Sequence, residues 1–224
     1  MKQRSQTWRE WLRGNPHAWY ALLFPLYMLS YFITEALVGE NADYWVSYLP
    51  LDDKIPFLEW FVPIYYFWAL CLLTVGLYLL VKDGAGFKKF MISLFGGMGA
   101  SLLICLLFPN GQNLRPEVFP RENLFTEMVR IIYSLDTCTN VFPSMHVVGA
   151  VAGVGAVFHS AALRRFRLPA VALCALICAS TVCLKQHSIL DVYGGVALGA
   201  ALWWIVYRKK KTAPHEAEIR EQNA

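Results

Sequence analysis

The sequence predicts an all-α integral membrane protein, built as a bundle of six transmembrane helices. Two observations indicate this class. Hydrophobic residues make up 57% of the 224 positions and charged residues only 16%, with a mean hydropathy of +0.41. Apolar runs, each close to the roughly 20 residues that cross a bilayer, alternate with short polar segments. This composition excludes an ordinary soluble domain.

The apolar runs divide the chain into three parts. Residues 1–17 interleave aromatic and basic residues at helical spacing, which predicts a basic helix lying in the membrane interface. Residues 18–207 hold the predicted spans, and residues 208–224 form a basic and polar tail. The spans are expected at six positions: residues 18–38, 60–81, 90–108, 144–163, 168–184 and 189–207.

The connections between the spans differ in length and charge. Residues 39–59 form an acidic loop with aromatic residues suited to the lipid headgroup region. Residues 82–89 form a short basic turn. The longest connection, residues 109–143, carries three arginines and a predicted surface helix at 123–134. Loops of this length are usually functional.

The distribution of Lys and Arg predicts which side of the membrane each loop faces. Six spans put both termini on one side, and that side carries 15 of the 20 Lys and Arg residues. Both termini are therefore expected in the cytoplasm, in a bacterial-type cell membrane. No nucleic-acid-binding motif accompanies the formal net charge of +4. We expect membrane lipids, and no nucleic acid, as partners, while the oligomeric state stays open.

The same parity brings the ends of four spans to the opposite, extracytoplasmic face. Each of these ends carries a polar residue: Arg115, His146, Lys185 and His187. Ionisable side chains are costly beside apolar runs and usually mark function in membrane proteins. Because all four residues are expected at the same face, they predict a composite active site at the extracytoplasmic face.

His187 and Asp191 open the sixth predicted span at a spacing of four residues, which places both side chains on one helical face. A carboxylate in this position fixes the tautomer of the imidazole and raises its basicity, as a nucleophilic or general-base histidine requires. An aspartate in the first helical turn is also stabilised by the helix dipole. The pair is thus compatible with a catalytic or with a purely structural role.

Residues 143–146, with the sequence PSMH, predict the start of another helix, with Ser144 as its N-cap. Free backbone N–H groups at such a helix start can hold a phosphate. His146 could then protonate a leaving oxygen. A serine N-cap followed by an unrelated histidine is the alternative interpretation of this motif.

Arg115 and Lys185 supply two different positive charges to this face. The planar guanidinium of Arg115 matches two phosphate oxygens, whereas the ammonium of Lys185 is a compact point charge close to His187. Each residue alone would also fit an interfacial anchor. Together with two histidines, a carboxylate and a helix N-terminus, they indicate phosphoryl transfer.

These motifs resemble the type 2 phosphatidic acid phosphatase superfamily over roughly residues 18–207. The resemblance rests on RP at 115–116, PSMH at 143–146 and HxxxD at 187–191, preceded by the small pair 180–181. The usual pattern of that superfamily has a lysine where this chain has Phe108, a glycine at Met145 and an arginine at Thr181. The motif STxxxKQHxxxDV is closest in style to the inositol phosphorylceramide synthase-like branch.

The resemblance implies a catalytic role for each polar residue. His187 would attack phosphorus to form a phosphohistidine, Asp191 would orient it, and His146 would protonate the leaving alkoxide. Phosphate binding would fall to three residues: Arg115, Lys185 and Ser144. The substrate would be a lipid phosphate, and no metal or other cofactor is expected because the cations of the protein stabilise the charge.

Three alternatives stay open. A transferase of phosphodiester headgroups, as in the inositol phosphorylceramide synthase-like branch, would use the same residues with another alcohol as acceptor. A metal-dependent hydrolase would use His146, His187 and Asp191 as ligands, although Arg115 and Lys185 would then repel the cation. A non-catalytic transporter or scaffold would place ionisable residues at mid-membrane, and the second and third spans have none.

Overall fold

The computed structural model describes residues 8–39 and 43–208. Its architecture is predominantly helical, with two strands of two residues each. The helices, numbered along the chain, are α1 Trp8–Gly14, α2 Leu23–Leu37, α3 Val62–Lys82, α4 Gly84–Leu107, α5 Leu124–Leu135, α6 Met145–His159, α7 Arg167–Cys183 and α8 Ile189–Tyr207. The strands are β1 Trp45–Val46 and β2 Asn110–Gly111. A 3₁₀ segment, Pro16–Leu22, leads into α2.

Five helical segments within the described residues are long and apolar enough to cross a membrane: Pro16–Leu37, Glu59–Lys82, Gly84–Leu107, Arg164–Cys183 and Ile189–Tyr207. The helix at the predicted fourth span, α6, is apolar but has only 15 residues. At 1.5 Å per residue it extends about 22 Å, less than the ~30 Å of a hydrocarbon core. The membrane-type helical fold is confirmed, and the count of six spans stays a prediction.

Several helix boundaries differ from those expected; the fourth predicted span, for example, ends at His159 rather than at residue 163. The third predicted span begins six residues earlier, at Gly84, because the Asp83 side chain accepts a hydrogen bond from the Gly86 N–H at 2.8 Å and caps the helix. The expected basic turn at 82–89 therefore lies mostly inside α4. Within residues 1–17, where an interfacial helix is expected, the structure gives α1, which ends before Pro16 because proline does not continue a helix.

The proposed division into an interfacial helix, a membrane domain and a tail stays a prediction. Residues 1–7 and 209–224 lie outside the described residues. For the surface helix expected at 123–134, the structure gives α5, one residue further along the chain. Its N-cap is Asn123, whose side chain accepts a hydrogen bond from the Thr126 N–H at 3.1 Å.

Helix α6 lies at the centre of the bundle and packs against α4, α7 and α8. Glycines allow this close approach. A Cβ atom on Gly195 of α8 would lie 2.8 Å from the Ser144 carbonyl oxygen and 2.8 Å from the Val147 Cβ. The contact joins the start of α6 to the first turns of α8, so the two helix N-termini that carry the predicted histidines lie side by side.

Loops that are distant in sequence meet over these two helix starts. Strand β1 pairs in parallel with β2, and Gly111 also forms an isolated bridge with Thr139. The Arg121 guanidinium forms an ion pair with the buried Glu59 carboxylate at 2.7 Å, which ties the long connection to the start of α3. The sequence analysis predicted no strand, because two residues carry no periodicity.

Substitution of Gly195 by alanine is expected to lower the stability of the bundle. The new methyl group would collide with backbone and with a β-branched side chain, and overpacking of this kind costs about 1 to 3 kcal/mol. The matched control is Gly99→Ala in α4, where nothing lies within 4 Å of the new Cβ. Thermal unfolding in detergent should show a lower midpoint for Gly195→Ala, and equal midpoints for both variants would contradict the packing.

Candidate active site

Two of the predicted catalytic residues line a common cavity. The imidazole centroids of His146, on α6, and His187, just before α8, lie 5.7 Å apart. The His146 ring also packs against Tyr65 and Trp68 of α3, with centroid separations of 4.5 and 4.6 Å. Of the six predicted site residues, all described by the structure, His146 and His187 are the two that line this cavity.

Asp191 holds His187 and caps its own helix. One carboxylate oxygen lies 3.4 Å from the His187 Nδ1 and accepts the Ser188 N–H at 2.9 Å. The other accepts a hydrogen bond from the Ser47 hydroxyl. Ser188 completes a capping box by accepting from the backbone of α8. The structural interpretation of this pair is therefore confirmed, while its catalytic role stays a prediction with which the contact between Asp191 and the His187 Nδ1 is compatible.

Ser144 acts as the N-cap of α6, as predicted. Its hydroxyl accepts the Val147 N–H at 3.4 Å, and its own N–H donates to the Asp191 carbonyl oxygen at 3.1 Å. The first N–H groups of a helix have no acceptor within that helix, and the residues that carry them here, Met145 and His146, line the cavity. This helix start is thus the part of the motif that can meet an anion.

Arg115 lies behind the cavity wall, where it organises two loops. Its guanidinium donates to the carbonyl oxygens of Asp136 and Thr137, both at 2.9 Å, and to the Gln186 side-chain oxygen at 2.6 Å. It also stacks over the Tyr133 ring at 4.4 Å. In this geometry Arg115 contacts Gln186, which does line the cavity, and does not line the cavity itself.

Lys185 does not line the cavity, and its side chain contacts the acidic loop instead. Its backbone has a positive φ of 55°, and its ammonium donates to the Asp52 carbonyl oxygen at 2.8 Å. Burial lowers the pKa of this ammonium, and the nearby Asp52 carboxylate offsets the effect in part. Lys185 therefore fastens the acidic loop to the turn before α8, and its predicted contact with phosphate has no support in this geometry.

The Asp52 carboxylate lies at the N-terminus of α8. No role was predicted for Asp52 from the sequence. It is fully buried and accepts the Ser188 hydroxyl at 2.6 Å and the Ile189 N–H at 2.8 Å. The position suits an anion because the helix dipole and free N–H groups favour negative charge there. Its partners come from 136 positions further along the chain, a distance that no local pattern reveals.

The cavity, of about 630 Å³, changes from polar to apolar along its length. Its polar end holds His146, His187 and Gln186. Its walls then follow α2, α3 and α4 as far as Leu80 and Phe87. The apolar part is lined by aliphatic and aromatic side chains: Phe24, Leu72, Phe90, Met91, Leu94 and Phe95.

Sequence reasoning missed three polar residues at the polar end: Asp136, Asn140 and Gln186. Burial raises the pKa of the Asp136 carboxyl, although the charges of His187 and Arg115 act in the opposite direction. The sequence contains a weak signal for two of these residues, because Gln186 directly precedes His187 and Asn140 stands just before the PSMH motif. Asp136 carries no such signal, because it belongs to no motif.

The described residues contain no group of three or more His, Cys, Asp or Glu side chains close enough to hold a metal ion. His146 faces Tyr65, Trp68 and His187 rather than Asp191. The three residues suggested as metal ligands are thus not arranged as a ligand set. The chemistry available to the site is nucleophilic attack and proton transfer by two histidines, one of them held by a carboxylate.

Comparison with known proteins gives one match. The family model of the PAP2 superfamily matches residues 90–214, more than half of the chain. The matched region includes most of α4, all of α5 to α8 and all six predicted site residues. No curated protein and no solved structure matches this chain.

Asp52→Ala is expected to destabilise the end of the bundle at which α8 begins. The change leaves the Ser188 hydroxyl and the Ile189 N–H without their buried acceptor, which costs roughly 2 to 5 kcal/mol. The neighbouring Asp53 is exposed and bonds the Tyr48 hydroxyl, so Asp53→Ala is a matched control that should shift stability by about 0.5 kcal/mol or less. Thermal unfolding in detergent measures both, and similar losses would contradict the assigned role of Asp52.

Proposed function

Because this chain belongs to the PAP2 superfamily, we propose that it is a metal-independent lipid phosphatase or phosphotransferase that acts at the outer leaflet through a phosphohistidine. Membership itself indicates phosphatase or phosphotransferase activity. The observation that carries the proposal is the pair His146 and His187, which meet at the polar end of a long apolar cavity.

The two histidines divide the chemistry between them. His187 attacks phosphorus through Nε2, so a P–N bond forms while a P–O ester bond breaks and the leaving oxygen takes a proton from His146. In the second half, water or another alcohol gives its proton to His146 and attacks phosphorus, and the P–N bond breaks. Asp191 keeps Nδ1 of His187 in place throughout, which stabilises the positive charge on the ring.

The phosphate oxygens are stabilised by donors at the edge of the cavity. The first N–H groups of α6 and the amide of Gln186 are the nearest candidates, and Arg115 polarises that amide through its contact with the Gln186 oxygen. Direct phosphate contacts of Arg115, Lys185 and Ser144 stay predictions. Ser144 contributes by capping the helix that supplies the N–H groups.

The apolar part of the cavity supports a lipid as the substrate. Along α3, its lining runs from Tyr65 to Leu80, a rise of about 22 Å at 1.5 Å per residue. A length of this order accommodates an acyl chain, whereas a soluble phosphate ester would need no such wall. The bias of Lys and Arg supports cytoplasmic termini and therefore a site at the outer leaflet.

A transferase of phosphodiester headgroups is the second candidate. It is favoured by two positions at which the usual pattern of the family has a cation and this chain has none. These positions are Phe108 and Thr181. Phe108 is 67% exposed, and the Thr181 hydroxyl bonds the Cys178 carbonyl at 2.8 Å, so neither residue brings a positive charge to the site. A phosphodiester carries one negative charge less than a phosphomonoester and needs fewer cations.

His187→Ala is expected to abolish phosphate release, or transfer of a phospho-headgroup, from lipids supplied to the purified protein. Loss of the nucleophile should lower kcat about a thousandfold or more. His159→Gln is the control, because His159 lies at the opposite end of α6 against Trp203 and Tyr207. A chelator should leave the wild-type rate unchanged.

Two results would contradict this proposal. A folded His187→Ala protein with full activity would exclude the phosphohistidine. Lipid binding without turnover, under any acceptor alcohol, would instead favour a non-catalytic transporter or scaffold. Thermal unfolding of the variant in detergent separates loss of chemistry from loss of fold.

A further inference from the structure

The polar end of the cavity has a wall of which the proposed chemistry uses Gln186 alone. Asp136 and Asn140, from the segment before α6, line it together with Gln186 from the turn before α8. Asn140 and Gln186 are 3% and 2% exposed. These three side chains line the same cavity as His146 and His187. A headgroup attached to a phosphate between the two histidines would therefore contact them.

Two of these side chains carry a buried polar atom without a hydrogen-bond partner. Within the described part of the chain, the Oδ1 of Asn140 and the Nε2 of Gln186 are both unpaired. Such an atom costs about 1 to 3 kcal/mol and is uncommon in folded proteins. Two at one cavity end indicate a ligand that supplies a donor to Asn140 and an acceptor to Gln186.

The opposite ends of both amides are fixed, so the free atoms are assigned by the surrounding bonds. The Asn140 Nδ2 donates to the Glu35 carboxylate at 2.7 Å and to the Val38 carbonyl at 3.1 Å. The Gln186 Oε1 accepts from Arg115 at 2.6 Å. A flipped Asn140 amide would set its oxygen against the Glu35 carboxylate. The wall therefore presents a fixed acceptor and a fixed donor.

The charges near this wall are mostly negative. Asp136 lines the cavity and accepts the Tyr31 hydroxyl at 3.3 Å. The Glu35 carboxylate stands behind Asn140 and also accepts the Thr137 hydroxyl at 2.8 Å. Arg115 is the cation that reaches this segment, and its charge is directed to carbonyl oxygens. A dianionic phosphomonoester is disfavoured by such surroundings.

We infer that Asp136 and Asn140 form a headgroup subsite for a phosphodiester lipid whose headgroup carries hydroxyl or ammonium hydrogen-bond donors. The inference rests on the proposed function, because it takes the phosphorus to lie between the two histidines. The lipid chain then occupies the apolar part of the cavity. The headgroup meets the Asn140 oxygen and the Asp136 carboxylate, and Gln186 donates to a phosphate oxygen.

The subsite selects by complementarity of donors and acceptors. A glycerol or sugar hydroxyl, or the N–H of an ethanolamine headgroup, satisfies the Asn140 oxygen. Phosphatidic acid has no headgroup beyond its phosphate, so it leaves the Asn140 oxygen unpaired. A choline headgroup has a positive charge but no N–H, so it separates attraction by charge from hydrogen bonding. The chemical step is unchanged, since the same P–O bond breaks as the P–N bond forms.

The experiment compares four short-chain lipids of equal acyl length: dihexanoyl phosphatidic acid, phosphatidylglycerol, phosphatidylethanolamine and phosphatidylcholine. Binding to the purified full-length protein in detergent is measured by calorimetry, and turnover is measured in parallel. The glycerol and ethanolamine lipids should bind at least about tenfold more tightly than phosphatidic acid. The choline lipid should bind less tightly than the ethanolamine lipid.

Asp136→Asn tests the carboxylate. The variant keeps an acceptor for Tyr31 and removes the charge, so the preference for the ethanolamine lipid over phosphatidic acid should fall about tenfold. Asn140→Gly keeps the positive φ of 58° available and removes the acceptor, so the preference for the glycerol lipid should fall in the same way. Glu127→Gln, an exposed acid of α5 paired with Arg130, is the charge-matched control and should change neither preference.

The outcomes separate this inference from the proposed function. Equal binding of all four lipids, or a preference that survives Asp136→Asn and Asn140→Gly, overturns the subsite even when phosphatidic acid is hydrolysed. Selective binding that both variants abolish supports the subsite even when no lipid is turned over, and the absence of turnover would then count against the proposed enzyme alone.

Discussion

The structure of the bundle end that carries the two histidines depends on the carboxylate of Asp191 at the N-terminus of α8. In an apolar environment the free N–H groups of a helix start need acceptors, and Asp191 supplies one to Ser188 within a capping box. The same carboxylate lies against the His187 imidazole and accepts the Ser47 hydroxyl. The carboxylate that stabilises the helix therefore also fixes the orientation of the proposed nucleophile. The His187 imidazole is held in place by the same contacts that cap α8, and no further residue is needed for this.

The short length of α6 has a related consequence. A helix of 15 residues extends about 22 Å and does not reach across a ~30 Å hydrocarbon layer. Loops must therefore cover its first residue, and the bonds that hold them come from distant segments: Ser101 donates to the Pro143 carbonyl, and Asn110 accepts from Val141 and Phe142. Beneath these loops, His146 lies against aromatic rings of α3 and lines the mainly apolar cavity, which is where the proposed lipid substrate would meet it.

Sequence alone predicted the parts of this arrangement that depend on local pattern. The limits of α8 agree with the expected span because Ser188 and Asp191 cap it, and the expected proximity of His146 and His187 agrees with the distance between their rings. The start of α4 was missed because the Asp83 cap precedes a stretch that resembles a polar turn. The partner of Lys185 could not be predicted, because a backbone carbonyl more than a hundred residues away has no signature in the sequence.

The distribution of charge links these findings to function. Arg115 organises the segment that carries Asp136, since it holds the carbonyl oxygens of Asp136 and Thr137 and the oxygen of Gln186. With the Tyr133 carbonyl oxygen, the guanidinium has four acceptors, so it offers less charge to a phosphate, and neither Phe108 nor Thr181 adds a positive charge. The positive charge available near the two histidines is thus low, and the Asp136 carboxyl lines the same cavity. Low positive charge lowers the affinity for a dianion more than for a monoanion, which supports the proposed phosphodiester substrate independently of the unpaired amide atoms.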